Sequence, residues 1–259
     1  MTRRIKLTVA YDGSAYVGWQ SQINGVSVQQ TIERALSKLT GLPAPITGAS
    51  RTDAGVHALG QVAHFDIDSS IPDEKFPLAL NTKLPPDIRA INAQTVAPTF
   101  HARFHARRKR YRYEIHNSRC APVLERSHRW HVPVPLDIDA MREEARYMIG
   151  EHDFAAFAAS GSAVKQTVRT VFDAEVNGSN YDPALIELWI SGDGFLYNMV
   201  RIFAGTLVDA SLGKLGPGAV RRAIRARDRL LLGQTAPAHG LTLMNIEYDR
   251  GDEENAATV

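Results

Sequence analysis

Residues 48–68 read GASRTDAGVHALGQVAHFDID, and the two halves of the stretch carry different patterns. From Gln61 onward the apolar residues Ala63, Phe65 and Ile67 take every second position, the period of a strand with one buried face. PITGAS in front of the stretch leads into RTDAGVH, which reads as a loop joining two strands. Asp followed by Ala-Gly is ordinary chemistry for reversing chain direction. The same residues also describe a lone carboxylate, Asp53, held at a loop tip by basic groups such as Arg51. Turn chemistry alone does not choose between the two readings.

On the N-terminal side, IKLTVAY alternates Ile5, Leu7 and Val9 with polar neighbours and predicts a second half-buried strand. SVQQTIERALSKLTG predicts a helix. Ser27 and Gln30 make a capping-box pair, Val28, Ile32, Leu36 and Leu39 the buried stripe, and Gly41 the stop. Between Asp68 and Pro98 five prolines argue against a long regular element, although LALNTK predicts a turn of helix. In RKRYRYEIH the side chains alternate, with Arg110, Arg112 and Glu114 on one face and Tyr111, Tyr113 and Ile115 on the other.

After the Pro-rich VPVPLD the pattern becomes helix, strand, strand, helix. Met141, Ala145, Met148 and Ile149 mark a helix ending at Gly150, and TVRTVFDAEV and ALIELWIS read as strands. FLYNMVRIFAGTLVDASLG predicts a helix apolar nearly all round, and PGAVRRAIRARDRLLLG one with proline at its first turn. LTLMNIEYD closes as a strand, and DEENAATV reads as a disordered tail. Two halves that each mix hairpins with helices predict an α+β architecture. The expected division lies near residue 105, with an N-terminal α+β domain over 1–105 carrying Asp53 and a C-terminal α+β domain over 106–259 carrying Tyr111 and Arg201.

Composition narrows the classes of function. With 259 residues and 44% apolar content, the chain has ample material for a core. A single cysteine, Cys120, excludes an internal disulfide and a thiolate zinc cluster, which suits a reducing cytoplasm. MTRRIKLTVAYDG lacks the continuous apolar run of a signal peptide, and no stretch is long and apolar enough to span a membrane. No P-loop and no GxGxxG is present.

Net charge is only +2, yet the charge is unevenly spread. From Ile88 to Tyr113 there is no acidic residue, while Arg89, Arg103, Arg107, Arg108, Lys109, Arg110 and Arg112 crowd the same window with His101 and His105. A second cluster holds Arg221, Arg222, Arg225, Arg227 and Arg229. Basic runs are commonly solvated surface, but two of them, the first interleaved with aromatics, favour a polyanion as partner.

Arg201 is the odd residue of the apolar helix, since Leu196, Met199, Val200, Phe203, Leu207 and Ala210 surround it in sequence and Tyr197, Ala204, Gly205 and Val208 supply no acid. A guanidinium in such company needs a distant carboxylate, and the expected partner is Asp53. Snorkelling to solvent is the plainer alternative. A cation beside Asp53 would keep it ionised, fit to act as nucleophile or base and unfit as a general acid. A metal site on Asp53, His57 and His64, and a triad of Ser50, His57 and Asp53, can also be drawn, but neither has the spacing its chemistry uses. Tyr111 and Tyr113 suit a core, and a phenol flanked by arginines also suits stacking of an unpaired base.

Eight segments together resemble the tRNA pseudouridine synthases of the TruA type: YDGSAYVGWQ (11–20), SVQQTIERAL (27–36), GASRTDAGVHALGQVAHF (48–65), FHAR (100–103), KRYRYEI (109–115), GEHDFAAF (150–157), GFLYNMVR (194–201) and GLTLMNIEY (240–248). They occur in the family's order and span nearly the whole chain. The resemblance implies isomerisation of uridine to pseudouridine at positions 38 to 40 of the tRNA anticodon arm, without cofactor or metal. It implies homodimers of two-domain α+β subunits of the pseudouridine synthase fold, with mainly antiparallel sheets flanking a central basic cleft. It places the catalytic aspartate at Asp53 and substrate-binding residues at Arg51, Tyr111 and Arg201. Arg107, Arg108, Lys109 and Arg110 are the expected RNA-binding surface, tRNA the expected partner and the cytoplasm the expected location.

Overall fold

The computed structural model describes residues 2–158, 166–249 and 251. The tail DEENAATV lies outside the described residues. The chain divides into two compact units, Met1–Arg108 with Leu243–Val259, and Lys109–Thr242. It follows the order β1 (Thr2–Tyr11), α1 (Val28–Thr40), β2 (Thr47–Gly48), β3 (His57–Asp68), α2 (Phe76–Asn81), β4 (Ile88–Val96), β5 (Ala106–Asn117), β6 (Trp130–Val132), α3 (Ile138–Arg146), β7 (Gly150–Asp153), β8 (Val168–Gly178), β9 (Leu185–Gly192), α4 (Met199–Ser211), α5 (Ala219–Ala226) and β10 (Leu241–Tyr248). This is the α+β architecture that the residue patterns predict.

In the first unit the strands run β4-β1-β3-β10, with β2 paired to β3. Antiparallel register sets Ile5 opposite Phe65 and Leu7 opposite Ala63. Their alternating apolar faces therefore coincide, and Ile5, Leu7 and Val9 are fully buried. The pairing of β1 with β3 is irregular between Val9 and Tyr11, and Tyr11 lies opposite Ala58. The strand β4 departs from expectation, since eight of its nine residues pair with β1 in a segment whose prolines argue against a long regular element. Those prolines stand outside the ladder, from Pro72 to Pro86 before it and at Pro98 after it, so no amide of the strand is lost.

The helix α1 begins as predicted, with Gln30 N–H donating to Ser27 Oγ at 3.1 Å, and ends on Gly41 in the left-handed region. Only half of the capping box forms. The Gln30 side chain turns away and donates to Ser21 Oγ at 2.7 Å. Leu39 lies at the margin of the buried stripe, behind Val28, Ile32 and Leu36.

In the second unit the strands run β5-β9-β8-β7, with β6 paired in parallel to β5. The expected alternation along β5 is present, with Tyr111, Tyr113 and Ile115 buried. Ile149 is exposed, so the buried face of α3 and its following turn is Met141, Ala145 and Met148. Two helix starts also differ from the sequence reading. Asn198 takes a left-handed φ of 62°, so α4 begins at Met199 and leaves Leu196 and Tyr197 outside it. Gly218 likewise has φ of 70°, so α5 begins at Ala219 and Pro217 precedes the helix. The first amides of α5 find an acceptor from another helix: buried Glu144 accepts from Gly218, Ala219 and Val220. Among the described residues no helix is long and apolar enough to cross a membrane.

Candidate active site

The loop bearing Asp53 belongs to the first unit and is fastened along its whole length. At its neck the fully buried Gln61 bridges the strands: its Nε2 donates to Ser50 O at 2.7 Å and its Oε1 accepts from the amides of Ser50 and Val62. Ala49 N–H donates to Val62 O at 2.8 Å. At the tip, Val56 N–H closes on Asp53 O at 3.1 Å with Gly55 at φ of 78°, the positive φ that the third residue of a type II turn requires. The turn reading is therefore realised, and the turn carries the half-buried Asp53.

The other support comes from the segment following β1. Buried Thr52 shares a hydrogen bond of 2.7 Å with the Tyr11 hydroxyl, and its carbonyl accepts Trp19 N–H at 3.1 Å. Gly55 N–H donates to Tyr16 O, and Gly13 N–H donates to His57 Nδ1 at 3.1 Å. Close approach explains two glycines of YDGSAYVGWQ. A Cβ on Gly13 would overlap the Val56 carbonyl, and one on Gly18, at φ of +105°, would lie 2.5 Å from Thr52 O. The residues on both sides of Asp53 are thus pinned by backbone contacts, which gives its carboxylate a defined origin. Sequence reasoning assigned no role to Gly13, Gly18, Trp19 or Gln61. The available signal was a pair of glycines set among aromatics, which is legible only once a partner for their close approach is known.

Tyr111 and Arg201 lie in the second unit. Tyr111, on β5 opposite Ile190, meets the Phe195 ring edge-on with centroids 5.3 Å apart. Tyr113 is the structural phenol of the pair. Its ring is fully buried, its hydroxyl donates to Pro237 O at 2.8 Å, and a Cβ on Gly240 would overlap it. Burial raises the Tyr113 phenol far above its ordinary value, against the opposing pull of Arg201's positive charge.

Arg201 is half-buried on α4. Its Nε donates to Ala236 O at 2.8 Å and an Nη donates to Asn198 Oδ1 at 2.8 Å. The Ala236 amide returns a bond to Arg201 O at 3.0 Å. The left-handed Asn198 thus starts the helix and also orients the guanidinium. This fixes the fork at two points rather than letting it snorkel.

Arg51 is exposed beside the turn. In the expected RNA-binding surface, Arg107 pairs with Asp249 at 2.8 Å and Arg108 reaches Glu247 at 3.9 Å, both as exposed pairs that contribute little. Arg110 lies over the Trp189 ring at 4.7 Å. Arg112 is held more firmly by Glu114 at 2.8 Å and Glu187 at 3.4 Å. Much of the second cluster is also engaged locally. Arg221 covers Tyr147, Arg222 bonds the carbonyls of Gly216 and Pro217, and Arg227 pairs with Asp153 at 2.9 Å.

Of the groups drawn as a metal site, His57 and His64 each use Nδ1 to accept a backbone amide, from Gly13 and Ala102. Of the drawn triad, Ser50 offers its backbone to Gln61. These histidines thus already serve the fold.

Both units are of the α+β class. Residues 7–105 and 145–249 match a family model described as tRNA pseudouridine synthase. The chain belongs to that family and is accordingly an isomerase. It is 48% identical over 246 residues to tRNA pseudouridine synthase A of Ruminiclostridium cellulolyticum, covering 95% of this chain and 100% of that one. The enzyme of the same name from Acetivibrio thermocellus is 47% identical over 246 residues, with the same coverage. That from Bacillus licheniformis is 45% identical over 248 residues, 95% of this chain and 99% of the relative. A solved chain from a Cbf5-Nop10-Gar1 complex is a distant likeness, 12% identical with a TM-score of 0.35 over 78% of this chain and 53% of that one.

Proposed function

We propose that this isomerase converts uridine to pseudouridine at positions 38 to 40 of the tRNA anticodon arm, with Asp53 as its catalytic residue. The reaction breaks the bond from C1′ to N1, turns the uracil, and joins C1′ to C5, releasing the C5 proton to solvent while N1 takes up a proton in its place. Such chemistry uses a carboxylate that bonds transiently to substrate or removes a proton from it. Asp53 supplies that group. Tyr111 offers the shelf for a uridine that has left its stack, and Arg201 is the cation that keeps the carboxylate ionised during turnover. Arg51 and the strand Arg107, Arg108, Lys109 and Arg110 engage RNA phosphates. The protein works as a homodimer in the cytoplasm, with no metal or cofactor in the reaction.

The observation that carries this reading is the bracing of the Asp53 turn, whose flanking residues are bonded to Tyr11, Tyr16 and Trp19 on one side of a chain that belongs to the family. The test is release of tritium from tRNA labelled at uridine C5, with chelator present, for the native protein and Asp53→Asn. The near-isosteric variant is expected to lose release while binding tRNA with unchanged Kd. Turnover by Asp53→Asn would overturn the assignment, and loss of native turnover on chelation would point to a metal hydrolase or other metal chemistry.

A further inference from the structure

The first unit has eight aromatic residues among those described, and all but one are buried or half-buried. Phe104 is the exception, with 70% of its surface open to solvent. It does not hang from a loose loop. The turn that carries it points Phe100 and Ala102 into the core, both fully buried. Ala102 N–H donates to His64 Nδ1 at 3.2 Å, and His105 N–H closes on His101 O at 3.0 Å. The amides of Arg103 and Phe104 both donate to His101 Nδ1, at 3.2 and 3.3 Å. An imidazole that accepts at Nδ1 in this way is neutral there, and burial, with the nearby positive charges of Arg4 and Arg103, holds His101 below its ordinary range.

The His101 ring lies against Phe104, with centroids 4.2 Å apart and planes at 30°. The Arg103 guanidinium stands over the same phenyl ring at 5.8 Å. Arg103 belongs to the window from Ile88 to Tyr113 that contains no acid. Asp66, on β3 with His64, is bound by Arg4 at 2.7 and 2.8 Å. A rigid, exposed phenyl ring backed by an imidazole and flanked by a cation matches what stacks a nucleobase while meeting its phosphate. Its low entropy of presentation favours binding rather than fold stability.

We propose that Phe104, backed by His101 and flanked by Arg103, is a stacking platform for an unpaired nucleobase of the RNA substrate, a contact outside the Asp53 turn; this rests on the tRNA reading above. The base chemistry is unspecific, since every nucleobase offers a π face, and the platform discriminates single-stranded loop from paired stem.

The experiment compares fluorescein-labelled anticodon stem-loop RNA with a fully paired hairpin of the same stem, by anisotropy, on the native protein, Phe104→Ala and Phe104→Trp. Phe104→Ala is expected to raise Kd for the stem-loop about tenfold and leave the paired hairpin unchanged, as loss of one base stack does. Phe104→Trp is expected to restore it, and all three are expected to melt at the same temperature. Equal stem-loop affinity of Phe104→Ala and native protein would overturn the proposal. So would a loss of affinity that accompanies a shift of sedimentation to a smaller species, which would assign the face to a second copy of the chain. The outcome is read from binding alone, so it stands apart from tritium release by the native protein, which tests the proposed reaction.

Discussion

Replacing Gly18 with alanine tests whether the backbone behind the turn positions the carboxylate. Gly18 has φ of +105°, and an added Cβ would lie 2.5 Å from Thr52 O, 3.1 Å from Asp53 C and 3.2 Å from Ala54 N. Ordinary contact begins at 3.4 Å, so the carbonyl next to Asp53 must retreat by 3.4 − 2.5 = 0.9 Å, or the chain at Gly18 must move as far. A displacement of that size at a reacting group costs on the order of 100-fold in rate. We expect kcat in the tritium-release assay to fall by about that factor, with KM for tRNA changed by less than about threefold. Stability falls too, because alanine at positive φ costs roughly 1–2 kcal/mol before any clash. Gly41→Ala provides the control, since Gly41 has φ of +78° with nothing within 4 Å of the added Cβ. It should lose similar stability from strain and keep its kcat. If Gly18→Ala and Gly41→Ala turn over alike, the bracing of Asp53 through residues 13–19 is not what sets the rate.

Gln61→Leu removes the bridge at the loop neck and its hydrogen bonds with Ser50 N–H and C=O, at an expected cost of about 1–3 kcal/mol. A urea midpoint matching the native protein would show that the bridge is dispensable. Arg201→Ala should lower both melting temperature and turnover, and Arg201→Lys should not restore turnover, because an ammonium cannot bond both Ala236 O and Asn198 Oδ1 in the fork geometry. An unchanged melting temperature in Arg201→Ala would refute its anchoring role. For His64, burial first, then the charges of His101 and Arg4, lower the pKa from 6.5 to about 4, with Asp66 opposing. A depressed histidine contributes stability in full above 6.5, and loses it as pH falls toward 4, because the unfolded chain takes the proton first. Urea unfolding between pH 7 and pH 4.5 should show a loss on the order of 2 kcal/mol from this group, and His64→Asn should flatten that slope.

Local patterns in the chain were enough to show the α+β class, most strand and helix positions and the turn at Asp53. Alternation in IKLTVAY and QVAHFDID needs no partner to be read, because a strand with one buried face writes its period into its own residues. The N-cap of α1 was equally local, and so was the oddness of Arg201 in an apolar helix. Errors arose where a distant group decided the outcome. The second half of the capping box was lost because Ser21 competes for the Gln30 side chain. Helix α5 starts at Ala219 because Glu144, from another helix, accepts its first amides.

The mechanical setting of the candidate site, by contrast, rests on contacts between distant residues. The sequence by itself places a carboxylate in a turn, an arginine in a helix and two tyrosines on a strand. It does not say that Gly13 and Gly18 admit the Asp53 turn against the chain after β1, that buried Gln61 ties its neck, or that Asn198 and Ala236 orient Arg201. Nor does it separate Tyr113, bonded to Pro237, from Tyr111, or reveal that Phe104 is presented to solvent by a turn whose amides are held by His101. The reason is physical: hydrophobic periodicity is a property of neighbours along the chain, whereas hydrogen bonding and close approach join residues whose separation in sequence carries no pattern.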